Sequence, residues 1–454
     1  MYKKAHKKLW ISIIAVFVII AIVCGIFYYR FGSIIPLGAK VLASPVYPET
    51  AMYPAMDESF DFNNTEHIEK YNKWSENQKT RITQNKDYSE GLDGFLNSSI
   101  QTFLKSGKNN NVIFSPLNVY MALGLLAEIT EGGSRQEILS VLGNENIESL
   151  RTQASKIWNY CYRKDGIAKL LLANSLWLDT SIDYKKETLD ILAKNYYVSS
   201  YSGNMGSRDL NELYRNWINE LTDNLLKDQI SELSLSKETV FSIVSTVNFA
   251  AKWTCGFDKK DTDQGVFYSP SGNKNVSYMK GSFDERAYWG EKFTAVYLPL
   301  AQRDYGMTII LPDKQYTATE LLEDSETMEL ILNRNEYENK KDILINATIP
   351  KFDINSTIDL ESGLKEMGIT DVFDKNASGI SNLTDKDRLK FKAMHGARVI
   401  IDEEGCKAVS YVTMEEVGSR TPDEEMDFVV DRPFIFTIST SDGTPFFTGI
   451  VNNP

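Results

Sequence analysis

Residues 402–413 read DEEGCKAVSYVT. After Gly405, every second residue of this stretch has a small side chain. Successive residues of a β-strand point to opposite faces, so every second residue shares a face. One set in this stretch has only small side chains, namely Cys406, Ala408, Ser410 and Val412. The other set is Lys407, Val409, Tyr411 and Thr413, and it contains the large Tyr411. A strand made from this segment would therefore have one face that fits a narrow space, and Gly405 gives its start backbone freedom.

Outside this stretch, the sequence pattern predicts mainly helices in the first half of the chain and many strands in the second half. Residues 91–104 carry apolar side chains at helical spacing, and residues 119–142 contain two more helical stretches. Runs typical of strands occur at residues 170–178, 240–249, 295–300, 307–311, 343–349, 398–401, 434–439 and 446–451. Because there is no regular β-α-β alternation, this order predicts an α+β fold with mainly antiparallel sheets.

The composition indicates a folded, acidic protein. Its 454 residues are 42% hydrophobic and 24% charged, which is enough apolar material for a large core. The 49 Lys and Arg against 62 Asp and Glu give a net charge of −13, which argues against nucleic acid as a partner. The four cysteines are far apart, so neither a disulfide framework nor a zinc site is predicted.

The sequence carries no recognisable catalytic, metal or cofactor site. His6 and His67 lie near the N-terminus, so a catalytic triad would have to use His395 alone. The segment SLSK at residues 234–237 matches S-x-x-K, the start of a β-lactamase-type site, but the other motifs of that site are absent. We therefore expect no metal and no cofactor, and a hydrolase is the function that the sequence supports least.

Residues 9–29 predict a membrane anchor. This run is uncharged and about 21 residues long, enough to span hydrocarbon. Several lysines precede it, so the positive-inside rule places residues 1–8 in the cytoplasm. A cleaved signal peptide is the alternative, but the run exceeds an ordinary h-region and lacks an A-x-A site. Lipid attachment at Cys24 is disfavoured by the large Val23 before it.

Residues 30–88 are predicted to be an extracellular linker, and residues 89–454 the folded domain. The linker is polar, has early prolines and shows no sustained helical or strand period. As a flexible chain it would reach roughly 40 Å. These features predict a single-pass protein of the cell membrane with its domain outside. The Lys-rich tail and the lack of structural disulfides fit a bacterial surface protein.

Beyond residue 89, several motifs resemble those of the serpins, in the same order along the chain. NVIFSPL at residues 111–117 is similar to N-V-F-F-S-P-L of that family, and ANSLW at residues 173–177 is similar to A-N-A-L-F/W. FTGIVNNP at residues 447–454 is similar to F-x-G-x-V-x-N-P. Further matches are NWI at 216–218, VNF at 247–249, KW at 252–253 and PKF at 350–352. The resemblance covers residues 89–454 and indicates a single domain.

The resemblance implies a serpin fold, in which three mainly antiparallel β-sheets are surrounded by about eight or nine helices and carry an exposed reactive-centre loop. It also implies suicide inhibition of serine proteases. The protease cleaves the loop as a substrate, and the cut loop inserts as a new strand while the enzyme is still an acyl ester. The alternative is a non-inhibitory serpin-fold protein that binds or scaffolds. We expect a monomer whose partner is a target protease.

By this resemblance, Glu403, Glu404 and Gly405 form the hinge of the loop. The inserting side chains are then Cys406, Ala408, Ser410 and Val412. Cys406 stands where the family usually has Thr or Ser, and residues 409–411 replace its run of alanines. These departures bear on how efficiently the loop inserts.

The resemblance further implies a polar cluster beneath the point where the main sheet opens. Ser115, Asn248 and His395 match positions of that cluster, and Asn118 stands where the family commonly has a second serine. Hydrogen bonds in such a cluster must form again when strands separate. His395 is therefore expected to be structural and not a catalytic base.

By the same resemblance, the spacing usual in the family, counted from Gly405, implies a reactive bond between Ser419 and Arg420. A small residue at the cut favours an elastase-like or subtilisin-like protease. Loop lengths vary by a residue, so a bond between Arg420 and Thr421 with a trypsin-like target is the alternative. Pro422 stiffens the segment beyond and disfavours cleavage beside itself.

Overall fold

A computed structural model describes residues 39–54, 64–374, 379–385, 394–406 and 424–454 of the chain. The helices of this part are α1 (Thr65–Gln84), α2 (Asp93–Lys105), α3 (Pro116–Ile129), α4 (Gly132–Val141), α5 (Ile147–Cys161), α6 (Lys186–Asn195), α7 (Arg208–Leu221), α8 (Ser325–Leu332) and α9 (Glu361–Glu366). The strands are β1 (Ala39–Ala43), β2 (Val112–Phe114), β3 (Arg163–Lys164), β4 (Ala168–Asp179), β5 (Val198–Gly203), β6 (Phe241–Lys252), β7 (Asp263–Ser269), β8 (Gly272–Trp289), β9 (Phe293–Leu300), β10 (Tyr305–Pro312), β11 (Lys340–Pro350), β12 (Phe352–Asp359), β13 (Met394–Asp402), β14 (Gly405–Cys406), β15 (Glu425–Val429), β16 (Phe434–Thr440) and β17 (Pro445–Val451).

The strands of the described residues form two hydrogen-bonded sheets. Sheet A has eight strands in the order β1-β5-β4-β6-β14-β13-β12, with β3 beside β4. Sheet B has nine in the order β15-β11-β8-β9-β10-β16-β17-β2, with β7 beside β8. Two of the three expected sheets are continuous here because the 18-residue β8 pairs with β7, β11 and β9 in turn. The pairs are antiparallel except β4 with β5 and β11 with β15. The predicted α+β fold with mainly antiparallel sheets is confirmed.

Helix α3 lies in the core beneath sheet A. All of its residues except Ala122 are buried, which explains why the helix is apolar on every side. Pro116 occupies its first turn, where a missing N–H is tolerated. The helix brings Ser115 and Asn118 close to β13 and β6.

The N-terminal part of the chain packs against the domain. β1 pairs with β5 at the edge of sheet A, and Tyr47 stacks on Trp158 with ring centroids 5.2 Å apart. In α1, the indole N–H of Trp74 donates to Asp165 at 2.8 Å. These segments are therefore ordered against the domain and are not the flexible chain that was predicted, while the predicted domain boundaries at residues 30–88 and 89–454 stay a prediction. Only Trp74 and Gln78 of α1 are buried, so the helix leaves little apolar periodicity in the sequence.

The predicted localisation in a membrane is also wrong. None of the helices in the described ranges combines the length and the apolar character that a membrane crossing requires. The longest of them, α1, has 20 residues but carries charged side chains such as Glu66 and Lys70. The predicted tail and spanning segment, residues 1–8 and 9–29, lie outside the described residues.

Candidate functional site

A partly filled slot lies in the middle of sheet A, between β6 and β13. The two-residue strand β14 fills only one end of it, where Cys406 lies opposite Ala251 of β6 and Ile401 of β13. Farther along, residues 241–250 of β6 have no strand partner on this side within the described ranges. Residues 241–245 are only half-buried although β6 is a central strand. A continuation of β14 would run along this open edge.

The side chains of β6 that share a face with Ala251 point toward the core. Phe249 packs edge-to-face against aromatic rings of sheet B, and Ser245 contacts Asn118 of α3. Cys406 lies on the same face and is 3% exposed. Burial raises the pKa of its thiol to about 12. The thiol is therefore protonated at neutral pH and packs as a small, largely apolar side chain.

Gly405 carries the chain from β13 into β14 through a conformation that favours glycine. Its φ is +142°. A Cβ atom at this position would lie 2.3 Å from the carbonyl oxygen of Ala251. Close by, the indole N–H of Trp253 donates to the carbonyl oxygen of Asp402 at 2.9 Å. Another residue at position 405 would have to displace the backbone of β6.

Both carboxylates of the predicted hinge form ion pairs. Glu404 meets Lys259 at 2.6 Å on the surface. Glu403 is buried and accepts hydrogen bonds from Lys351 at 2.7 Å and from the hydroxyl of Thr262 at 2.8 Å. Burial acts to raise the pKa of Glu403, but the hydrogen bonds outweigh it and the pKa is lowered. Any movement of the hinge must break these charged contacts.

His395 lies on β13 at the edge of the slot. Its Nε2 atom accepts a hydrogen bond from the backbone N–H of Ser115 at 3.2 Å. The ring is buried, which lowers the pKa of His395 to about 4, so the imidazole is neutral at pH 7. The buried hydroxyl of Ser115 has no hydrogen-bond partner in the described part of the chain. The contacts of His395 are those of a structural residue.

Ser245 and Asn174 complete a polar cluster beside Asn118. The hydroxyl of Ser245 lies 2.6 Å from Oδ1 of Asn174 and is also within hydrogen-bonding distance of Oδ1 of Asn118. The amide of Asn118 donates to the carbonyl oxygen of Ser245 at 3.3 Å. Asn118, Ser245 and His395 border a cavity of about 50 Å³ between α3, β6 and β13. This cluster therefore joins α3, which lies beneath the slot, to β6 and β13, which border it.

Asn248 does not belong to this cluster, contrary to the prediction. Its amide donates to the carbonyl oxygen of Leu221, the last residue of α7, and to the carboxylate of Asp223 just beyond it, both at 2.9 Å. Ser245 and Asn248 are three positions apart on β6, so their side chains lie on opposite faces. The apolar Phe249 could have indicated this in the sequence, because its neighbour Asn248 must face away from the core.

The other predicted loop residues lie outside the described residues. They are Ala408, Ser410, Val412, Ser419, Arg420 and Thr421. Within the described ranges, no group of three or more His, Cys, Asp and Glu side chains is placed to hold a metal ion. The geometry above therefore concerns the hinge, the slot and the polar cluster.

Comparisons of the sequence and of the structure with known proteins match the same family over most of the chain. The sequence profile described as Serpin (serine protease inhibitor) matches residues 92–454. Serpin B3 of Homo sapiens is 24% identical, over 77% of this chain and 95% of its own length. A serpin-like protein of Methanosarcina acetivorans is 29% identical, over 74% of this chain and 80% of its own. The native-state structure of the thermophilic serpin Tengpin has a TM-score of 0.71 at 21% identity, and the match covers 92% of this chain and 100% of that one.

Proposed function

Because the chain belongs to the serpin family of serine protease inhibitors, we propose that it traps a serine protease by offering residues 407–423 as a substrate. The protease serine attacks the carbonyl carbon of the reactive bond, an acyl ester forms, and the amine of the next residue leaves. The freed loop then inserts into the slot of sheet A and carries the acylated protease along before water hydrolyses the ester. Membership of this family agrees with the prediction that the chain is not an enzyme.

The open slot beside β14 is the observation that carries this proposal. β14 pairs Gly405 with Lys252 and Cys406 with Ala251, so each step along the loop moves one residue back along β6. Continued in this register, the small loop residues meet core-facing residues of β6, namely Ala408 opposite Phe249, Ser410 opposite Val247 and Val412 opposite Ser245. A strand that enters above a packed core needs such small side chains on its inner face.

The register along β13 extends the argument to the polar cluster. There Gly405 pairs with Asp402 and Cys406 with Ile401. The same counting brings Val412 beside His395, directly over the small cavity of the cluster. Insertion would therefore require the hydrogen bonds around His395 to form again about a new strand, at the place where the facing edges of β6 and β13 have no strand between them within the described residues.

We propose the bond between Ser419 and Arg420 as the reactive bond, with an elastase-like or subtilisin-like target. The spacing from Gly405 and the small side chain of Ser419 support this choice. A bond between Arg420 and Thr421 would instead suit a trypsin-like protease. Mass spectrometry of the C-terminal fragment released from the denatured complex distinguishes them. A fragment that begins at Arg420 supports the first, one at Thr421 supports the second, and one outside residues 418–424 contradicts both.

Incubation of the protein with elastase, subtilisin and trypsin tests the proposed function. We expect a covalent complex that survives denaturation by detergent, together with loss of protease activity. Protease with a blocked active-site serine is the control, because it cannot form the acyl ester. The departures at Cys406 and Tyr411 favour a second candidate, a non-inhibitory binding or scaffold protein. That candidate predicts cleavage without a complex, or no cleavage.

The monomeric state predicted from the sequence remains a prediction. So does the bacterial source, since the relatives compared above come from a human and an archaeon. Neither affects the mechanism, because insertion takes place within one chain.

A further inference from the structure

A polar cavity of about 300 Å³ lies on sheet B, apart from the slot of sheet A. Its walls are charged side chains and tyrosines of β8, β9 and β11 and of the segments that follow β9 and α8. The volume is at the lower end of the range for small-molecule sites, about 300 to 1,000 Å³. None of the lining residues belongs to the hinge, the slot or the polar cluster. The cavity therefore has no part in the proposed inhibition.

Two of the three arginines in the cavity have carboxylate partners. Arg286 binds Asp342 through two parallel hydrogen bonds, at 2.8 and 3.0 Å. Arg303 binds Glu285 in the same two-pronged way, with one of the bonds at 3.1 Å. Such bidentate pairs satisfy the charges of both partners. These two arginines are not available to a ligand without breaking an ion pair.

The third arginine, Arg334, is 5% exposed and has a different environment. Its guanidinium lies over the ring of Tyr297, 4.0 Å from the centroid. Its Nε atom is buried and has no hydrogen-bond partner in the described part of the chain. The buried hydroxyl of Tyr288 also lines the cavity, and beyond its contact with Arg334 it has no hydrogen-bond partner in the described part of the chain. Burial raises the pKa of Tyr288, and the charge of Arg334 and its hydrogen bond to the phenol act against that rise.

An arginine can only donate, so within the described residues neither Arg334 Nε nor the hydroxyl proton of Tyr288 has an acceptor, and an anion would supply one to both. A buried cation without an anionic partner is costly, and a buried hydroxyl without a hydrogen bond adds to the cost. A carboxylate can accept hydrogen bonds from a guanidinium and from a hydroxyl at once. We propose that this cavity binds a small monocarboxylate, held by Arg334 and Tyr288. A singly charged anion is favoured over phosphate because Asp284, Glu285 and Asp342 already place negative charge around the cavity.

Isothermal titration of the full chain with benzoate tests the proposal. We expect saturable binding with a dissociation constant on the order of 1 mM. Benzamide has the same shape without the charge, so it should bind at least about tenfold more weakly. Inorganic phosphate should also bind at least about tenfold more weakly. Benzamide binding as tight as benzoate, or no saturable benzoate binding, would overturn the site. Phosphate binding as tight as benzoate would overturn the assignment to monocarboxylates.

Two variants locate the binding. Arg334→Gln removes the charge and should weaken benzoate binding by about tenfold or more. Tyr288→Phe removes one oxygen and should weaken it by about threefold. Arg208→Gln is the control, because Arg208 is an exposed arginine paired with Glu212 on α7. If Arg334→Gln does not fold, Tyr288→Phe decides. Benzoate binding unchanged in the folded variants would overturn the proposal, whatever the outcome of the protease experiments.

Discussion

The backbone N–H of Ser115 donates a hydrogen bond to Nε2 of His395 across 3.2 Å. This contact joins the start of α3 to β13, at the edge of the slot in sheet A. A histidine nitrogen can accept a hydrogen bond only while it carries no proton. The contact therefore depends on a neutral ring, which burial of His395 maintains by lowering its pKa to about 4.

We expect the free energy of unfolding to fall as the pH decreases from 6.5 to 4. The pKa of His395 is about 4 in the folded chain against 6.5 for an ordinary histidine, so the unfolded chain takes up the proton first. The contribution of the neutral ring is fully present above pH 6.5 and is lost as the pH falls to about 4, by about 3 kcal/mol in total. Urea unfolding of the wild type and of His395→Gln at pH 7 and 4.5 measures it. The same pH dependence in both proteins would contradict the assignment.

Gly405→Ala should destabilise the uncleaved protein by about 2 to 4 kcal/mol. The added Cβ would lie 2.3 Å from the carbonyl oxygen of Ala251, at a φ of +142° that disfavours alanine. Gly396→Ala on the neighbouring β13 is the matched control, since no atom lies within 4 Å of its Cβ position. The control should change the free energy of unfolding by less than about 0.5 kcal/mol. Equal effects in urea unfolding would show that close packing at the hinge is not the cause.

Trp74→Phe should lower the free energy of unfolding by about 1 kcal/mol. The variant keeps the aromatic ring but removes the N–H that binds Asp165, a buried carboxylate that also pairs with Arg163 at 2.7 Å. Lys73→Ala, on the exposed side of α1, should have little effect. Chemical unfolding compares the two variants. If neither changes the stability, α1 does not pack on the domain.

Ala408→Arg should convert the inhibitor into a substrate, whereas Val409→Arg should still form complexes. If insertion continued the register of β14, residue 408 would face the core and residue 409 would face the opposite side. Burial of a charged side chain in the core face of an inserted strand is too costly for insertion to compete with ester hydrolysis. Denaturing gels of both variants with protease show the ratio of complex to cleaved product. Equal ratios would mean that the inward set is assigned wrongly.

The fold was predictable because motifs in a fixed order along the chain resemble those of the serpins, and the structure brings two distant motifs together. NVIFSPL and FTGIVNNP are separated by more than half of the chain, yet Ile113 lies opposite Gly449 where β2 pairs with β17. Each motif carries apolar residues and turn residues that suit this contact locally. The local sequence patterns of the two motifs agree with the long-range strand pairing between them. The order of the motifs along the chain was therefore enough to indicate the fold.

Other features depend on contacts that no local pattern reveals. β1 is a short strand that is held by its pairing with β5. The only buried residues of α1 are Trp74 and Gln78. The match of VNF at residues 247–249 to a family motif placed Asn248 in the predicted polar cluster, but a motif match does not show which face of the strand a residue occupies, and the structure places Ser245 there instead. The site of Arg334 requires the distant Tyr288 and Tyr297, so its sequence neighbours give no indication of it.

Hydrogen–deuterium exchange of the intact and the loop-cleaved protein tests strand insertion most directly. The peptides to follow are residues 241–250 of β6 and 394–400 of β13, which border the open edge of the slot. Residues 434–440 of β16, which are paired on both sides, are the internal control. Insertion predicts that slot-facing amides of β6 and β13 exchange at least about tenfold more slowly after cleavage, while β16 is unchanged. Unchanged exchange at β6 and β13 after verified cleavage would contradict insertion between these strands.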